Sequence, residues 1–234
     1  MAPPGKRREP VPANAAAEEP PAEAQESARW RRRKHARPQE ILEAALAVFA
    51  EKGFAAARMD EIATRARVSK GTIYLYFPSK EAVFKALVRE MIGPQLSRLA
   101  DLARGYEGPI APLLAEMLRN LGRFIATSDK VVLPKMVIAE AGNFPDLARI
   151  YREEVVERGL ALFGGLLRAG IAQGEFRDIP VEHAVRLCVA PMLVAAIWRT
   201  TFARLDAVPY DYEGLIDAHI TTLLRGLARE GQAP

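Results

Sequence analysis

The chain of 234 residues has one cysteine, Cys188, and three histidines, His35, His183 and His219. One thiol cannot build a disulfide framework or a cysteine-rich zinc module, and three scattered imidazoles leave little for a metal centre. Long apolar runs are also missing. The longest, residues 187–198, covers twelve positions, whereas a bilayer span needs roughly 20. No apolar segment follows Lys6-Arg7-Arg8, so no export signal is read and a soluble protein of the reducing cytoplasm is expected, without membrane attachment. There is no Gly-x-Ser-x-Gly elbow, paired-carboxylate pattern or phosphate-cradling glycine loop, so no catalytic residue, metal or cofactor is assigned and an enzyme is not expected. Cys188 lies in a strongly apolar stretch, where a buried and inert thiol is the default.

What is present is an ordinary core-forming composition, 50% hydrophobic and 26% charged, with an uneven charge distribution. Residues 29–37 read Arg-Trp-Arg-Arg-Arg-Lys-His-Ala-Arg without a single acid, residues 1–28 are acidic on balance, and residues 81–234 are close to neutral. This asymmetry points to a polyanion at one end of the chain, although basic runs also serve as plain solubilising tails. Residues 1–28 are rich in Pro, Ala and Glu and hold too little apolar surface to offset ordering entropy. Residues 1–36 are therefore expected to be a disordered arm, basic at 29–37.

From residue 38 onward the periodicity is helical, with no convincing strand. A first helix is expected over 38–52, where Ile41, Ala45, Val48 and Phe49 share one face and Gly53 stops it. A second follows over 59–66, and Ser69 caps a third ending at Phe77. Pro78 breaks that helix and Ser79 caps a fourth, which is expected to run to about residue 103. Further helices are expected over 111–127, 133–140, 146–173, 180–203 and 212–229.

Short helices joined by a tight turn form a helix-turn-helix unit, in which one helix crosses the DNA backbone and the next lies in the major groove. On a helical wheel Lys70, Gly71 and Tyr74 share one arc, while Ile73 and Phe77 form the buried side. These residues also carry a resemblance. Ile41-Leu42-Glu43-Ala44-Ala45, Phe49-Ala50-Glu51-Lys52-Gly53-Phe54, Met59-Asp60-Glu61-Ile62-Ala63 and the stretch from Val68 through Ser69-Lys70-Gly71-Thr72-Ile73-Tyr74-Leu75-Tyr76-Phe77 to Pro78-Ser79-Lys80-Glu81 resemble the N-terminal domain of TetR-family transcriptional regulators. The resemblance spans about residues 38–87. It implies an all-α protein: a three-helix DNA-binding domain over 37–82 and a helical ligand-binding and dimerisation domain over 83–234. It further implies a homodimer on a palindromic double-stranded operator, usually a repressor released by a small molecule. Carried over by position, Ser69 caps the reading helix, Lys70, Gly71 and Tyr74 approach base edges, and Thr72, Tyr76 and Lys80 hold phosphates. Two positions depart from the pattern. Ala57 replaces a frequent Thr, with Arg58 beside it as a substitute phosphate contact, and Arg67 replaces a frequent Gly in the turn. In this context Arg31, Arg32 and Arg33 suit a minor-groove arm, with unspecific solvation as the other reading.

Residues 88–234 supply wide apolar faces. The last helix aligns Ile216, Ile220, Leu223, Leu224 and Leu227, and with the helix before it suits a four-helix dimer bundle. Met117, Leu121, Phe124, Met136, Phe144, Phe163, Met192 and Trp198 are candidates for lining a pocket for an apolar or amphipathic effector, each with plain core packing as its alternative. Control by a protein partner instead of a ligand, or activation instead of repression, fits the same residues.

Overall fold

In the computed structural model the backbone is described for residues 22–229 and the side chains for residues 37–229. The described chain is helical: α1 (Ala22–Ala56), α2 (Met59–Arg65), α3 (Lys70–Tyr76), α4 (Lys80–Met91), α5 (Gly93–Ala103), α6 (Ile110–Thr127), α7 (Val132–Glu140), α8 (Pro145–Tyr151), a π-helical segment Arg152–Val156, α9 (Glu157–Ala172), α10 (Val181–Thr201) and α11 (Tyr212–Leu227). Among the described residues there is no strand, only an isolated bridge between Phe176 and Ala228.

Three expected boundaries are corrected. Helix α1 begins at Ala22 and runs through Pro38. The Ala-, Glu-, Gln- and Arg-rich sequence that argues against a core is equally a sequence of strong helix formers. The disorder expected for residues 1–21 lies outside the described residues. The fourth helix does not reach residue 103. It stops at Met91, with α5 restarting at Gly93, because Pro94 has no N–H to continue the ladder. The helix expected over 146–173 is widened in its middle by the π segment.

Local chemistry accounts for the turns. Gly53 (φ 77°, ψ 174°) breaks α1 in a conformation that only glycine adopts readily. Ser69 accepts from the Thr72 backbone N–H (3.1 Å) and Ser79 from that of Ala82 (3.2 Å), capping α3 and α4. Arg58, at the start of α2, makes no side-chain cap. Glu61 and Asp60 place acidic charge in the first turn of α2, where the helix N-terminus favours it. The α2–α3 turn closes through Val68 N–H to Ala63 C=O (2.9 Å), with Arg67 at φ 55°.

Two hydrophobic cores result. The first holds Ile41, Val48, Phe49, Phe54, Ile62, Ile73, Phe84 and Leu87 from α1–α4 and continues into Leu133, Met136, Val137 and Leu147 of α7 and α8. A boundary near residue 82 thus does not divide the packing. The second core is built by α5, α6, α9, α10 and α11 around Leu114, Met117, Phe163, Cys188 and Ile220. The apolar stripe of α11 is directed inward: Ile216, Ile220 and Leu227 are buried. Gly122 of α6 lets the two helices close, since a Cβ there would lie 2.6 Å from Ile216. Both ends of α6 are held from far away in sequence. Glu175 accepts from the N–H groups of Ile110 (2.6 Å) and Ala111 (2.9 Å), and Arg199 donates to the carbonyls of Ile125 (2.7 Å) and Ser128 (2.6 Å). These four bonds satisfy groups that the helix leaves open.

Arg67 carries the cost of a left-handed backbone that glycine does not incur. Arg67→Gly should stabilise the fold by about 1 kcal/mol, read as a higher urea midpoint with unchanged slope; an unchanged or lower midpoint would show that the turn is not strained.

Candidate nucleic-acid interface and effector cavity

The seven-residue helix α3 presents one face to solvent. Ile73 is buried and Tyr76 half-buried against the first core, whereas Lys70, Gly71, Tyr74 and Leu75 are exposed. Leu75 is the extreme case among these, a large apolar side chain 80% exposed beside Tyr74 at 44%. Lys70 reaches back to Asp60 of α2 (3.1 Å) in an open ion pair, an interaction of at most about 1 kcal/mol and easily exchanged for another anion. The Ser69 and Thr72 hydroxyls are 2.8 Å apart and hydrogen-bonded to each other. Behind this face, Lys52–Glu61 (2.7 Å) and Arg65–Glu51 (2.6 Å) tie α1 to α2. The Lys52 ammonium, and after it the Arg58 N–H, hold the Glu61 carboxyl below its ordinary value.

The turn between α1 and α2 is gripped from two directions. The Lys80 ammonium donates to the carbonyls of Phe54 (2.6 Å), Ala55 (3.1 Å) and Ala57 (3.1 Å) and lies 4.5 Å from the Phe54 ring centre. Its three protons are all taken up, so the expected free phosphate contact is corrected: Lys80 is turned inward here. The Phe54 ring packs against Phe49, Phe84 and Phe144 at 5.1–6.0 Å. On the other side, the Glu140 carboxylate at the end of α7 accepts from the Ala55 N–H (3.1 Å).

Further into the chain, a cavity of about 410 Å³ opens between α5, α6, α7, α9, α10 and the π segment, within the 300–1,000 Å³ range of small-molecule sites. Its wall is aliphatic and aromatic except for Gln95, Lys130, Tyr151 and Arg152. Lys130 meets no acid among the described residues, while Arg152 pairs with Glu157 (2.9 Å). Burial pushes the Tyr151 hydroxyl well above the usual phenol range. The π segment contributes Arg152, Val155 and Val156 to the wall, and its Glu154 pairs with Arg89 of α4.

Residues 41–87 match the family described as bacterial regulatory proteins of the tetR family, and residues 108–208 match the tetracyclin repressor-like C-terminal domain. The HTH-type transcriptional regulator YdeS of Bacillus subtilis is 32% identical over 170 residues, 71% of this chain and 81% of that one. The chain belongs to the TetR family of transcriptional regulators. The HTH-type transcriptional regulator RutR of Escherichia coli K12 is 38% identical over 179 residues, covering 74% of this chain and 76% of its own. Among solved structures, FadR of Thermus thermophilus, a TetR-family transcriptional repressor in complex with lauroyl-CoA, superposes with a TM-score of 0.57 at 26% identity, covering 84% of this chain and 98% of that one. This TetR-family chain is accordingly a regulator and not an enzyme. Cys188 fits that reading, fully buried and with its thiol pushed up to about 11 by desolvation.

Within this TetR-family fold the expected reader residues Lys70, Gly71, Thr72 and Tyr74 lie on α3 with Ser69 at its cap, Tyr76 is partly turned to the core, and Arg58 stands at the start of α2. The side chains of Arg31, Arg32 and Arg33 lie outside the described residues. Of the expected pocket residues, Leu121, Phe124, Phe163 and Met192 line the cavity. The other four do not. Met117 is fully buried in the second core, Met136 and Phe144 belong to the first, and Trp198 is 40% exposed with its indole N–H on Asp206 (2.9 Å). Large apolar groups look alike in sequence, and only helix rotation separates wall from core. Leu75, four positions after Gly71, shares its exposed face, which polar donors alone do not reveal. No local signal marks the π segment that brings Tyr151, Val155 and Val156 to the cavity.

Helix α10 is long and apolar enough to cross a bilayer, with mean hydropathy 1.5. Ala184, Val185, Cys188, Met192, Ala195 and Ala196 bury one side of it in the second core, and Arg199 is bonded to α6, so it is a core helix here. Its other side exposes Leu187, Val194 and Trp198, while Leu193 opens onto the cavity.

The Arg89 guanidinium holds the Glu154 carboxyl below its ordinary 4.5. A depressed carboxylate contributes stability above its unfolded value and loses it as pH falls through the folded one. Between about pH 5 and about pH 3, the melting temperature of Glu154→Gln should therefore fall less than that of the wild type; parallel losses would show that this ion pair does not tie α4 to the cavity wall.

Proposed function

We propose that the protein is a homodimeric repressor that reads a palindromic operator with α3 and leaves it when an amphipathic, anionic ligand enters the cavity. The observation that carries this reading is the apolar cavity whose wall segment, through Glu154, holds the helix leading into the DNA-binding unit. Lys70 and Tyr74 supply polar tips for base edges, and Gly71 lets the backbone approach. Leu75 offers an apolar surface to a thymine methyl in the major groove. Arg58, Ser69, Thr72 and Tyr76 flank these as phosphate contacts, joined by the N-terminal N–H groups of α4. Arg31, Arg32 and Arg33 add a basic arm for the minor groove. A second copy covers the exposed face of α10, placing two reading helices one helical turn of DNA apart. The cytoplasm, where operator DNA resides, is the site of action.

The ligand class follows from an aliphatic wall with the cations Lys130 and Arg152 at its edge, which suits an acyl chain bearing phosphate or carboxylate. The lauroyl-CoA held by the Thermus regulator is of this kind. Selection from random duplexes should yield an operator, and Tyr74→Ala should weaken binding to it by about 1–3 kcal/mol in fluorescence anisotropy; full affinity would mean that α3 is not seated in the groove. Saturating lauroyl-CoA should lower operator affinity by about tenfold, and an operator complex indifferent to it would remove acyl thioesters as the effector class.

A further inference from the structure

At Gly53 the backbone of α1 departs from helical geometry, and the chain turns toward α2 through Ala57 and Arg58. Two charged side chains bond backbone groups of this corner. Lys80, from the start of α4, takes the carbonyls of Phe54, Ala55 and Ala57. Glu140, from the last turn of α7, takes the Ala55 N–H. Its carboxylate lies so near that a Cβ at Gly53 would stand 3.1 Å from Oε1, a contact that glycine makes room for. The same corner brings Phe144 onto the Phe54 ring at 5.1 Å.

Helix α7 also forms part of the cavity wall through Pro134, Val137 and Ile138. Val137 belongs to both places, packed in the first core and facing the cavity. A ligand that shifts α7 therefore shifts Glu140, less than one helical turn further along.

We propose that Glu140 is a positioning residue for operator reading: it fixes the α1–α2 turn, and with it the stance of α2 and α3, according to whether the cavity is filled. This connection is separate from the Arg89–Glu154 pair on α4. It rests on the effector reading only for the identity of the ligand that moves α7; the hold on the turn stands by itself. Glu140 contacts no DNA in this scheme and acts through the Ala55 amide.

Two full-length variants test it. Glu140→Gln keeps an acceptor oxygen for the Ala55 N–H, whereas Glu140→Ala removes it. On an operator selected by the wild-type chain, Glu140→Ala should bind about tenfold more weakly, while Glu140→Gln stays within about twofold of the wild type. Calorimetric affinity for lauroyl-CoA should be unchanged in Glu140→Gln and, by linkage, no weaker in Glu140→Ala, which has no contact left to loosen. In the wild type, lauroyl-CoA should speed amide hydrogen exchange in the peptide spanning residues 53–57. In Glu140→Ala that exchange is fast from the outset and does not respond. Wild-type operator affinity in Glu140→Ala, or equal losses in both variants, would overturn the proposal. So would an exchange rate at 53–57 unmoved by a lauroyl-CoA that binds. If lauroyl-CoA does not bind the wild type, the effector reading fails, and the operator affinities of the two variants still decide the role of Glu140.

Discussion

The arrangement depends on how the kinked end of α1 at Gly53 and the turn that follows it are held. A chain leaving one helix and entering another strands amide and carbonyl groups, and burying them without partners costs about 1–3 kcal/mol each. Here three carbonyls share one ammonium and one amide meets one carboxylate. The two charges come from α4 and α7, so the turn is defined only when the reading unit, the linking helix and the sensor helix are assembled together. Phe54 adds an apolar anchor at the same point, its ring fully buried among Phe49, Phe84 and Phe144; burying such a ring contributes about 2 kcal/mol. The first core crosses from α1–α4 into α7 and α8 for this reason, and the DNA-binding unit does not pack independently of the sensor.

The cavity walls are tied to different parts of the chain. Helix α6 is fixed at both ends, by Glu175 on its first amides and Arg199 on its last carbonyls, and Gly122 draws it against α11. Opposite stand α7 and the π segment, which are tied to the reading unit through Glu140 and Glu154. A ligand shifts an equilibrium only through its different affinity for the two states. Under the proposed reading, a ligand that displaces α7 or the π segment would carry the displacement to α4 and the α1–α2 turn. Those ties would supply the differential interaction that coupling between two sites requires.

Much of this was legible in the sequence, and the parts that were not share a physical cause. Ser69, Ser79 and Gly53 act through their own neighbours, so their caps and breaks were readable from local spacing. Apolar periodicity likewise marked the faces of α1, α3 and α11. Lys80 was misjudged because its partners lie 23 to 26 residues away, and an ammonium beside a helix start looks the same whether it points outward or in. Met117 and Phe163 are both buried in the second core, yet only Phe163 also borders the cavity, a difference set by the rotation of α6 and α9. Trp198 shows the opposite limit: a large aromatic on an apolar helix, placed by sequence in the pocket, stands on the face that the second core leaves open.

That open face bears on how a small movement inside one chain could matter to DNA. The buried side of α10 packs with α6, α7, α9 and α11, while α11 turns Ile216, Ile220 and Leu227 inward and leaves Asp217, Ala218, Thr221, Thr222 and Arg225 exposed. Leu187 and Val194 are exposed apolar side chains on the other side of α10. Two copies joined there would share one rigid centre, with the reading helices at the far ends of separate levers. Duplex geometry accepts only spacings near 34–36 Å or multiples of it. A change in the stance of α2 and α3 that would be trivial for a lone reader then becomes decisive for a pair, since both helices must meet their grooves at once.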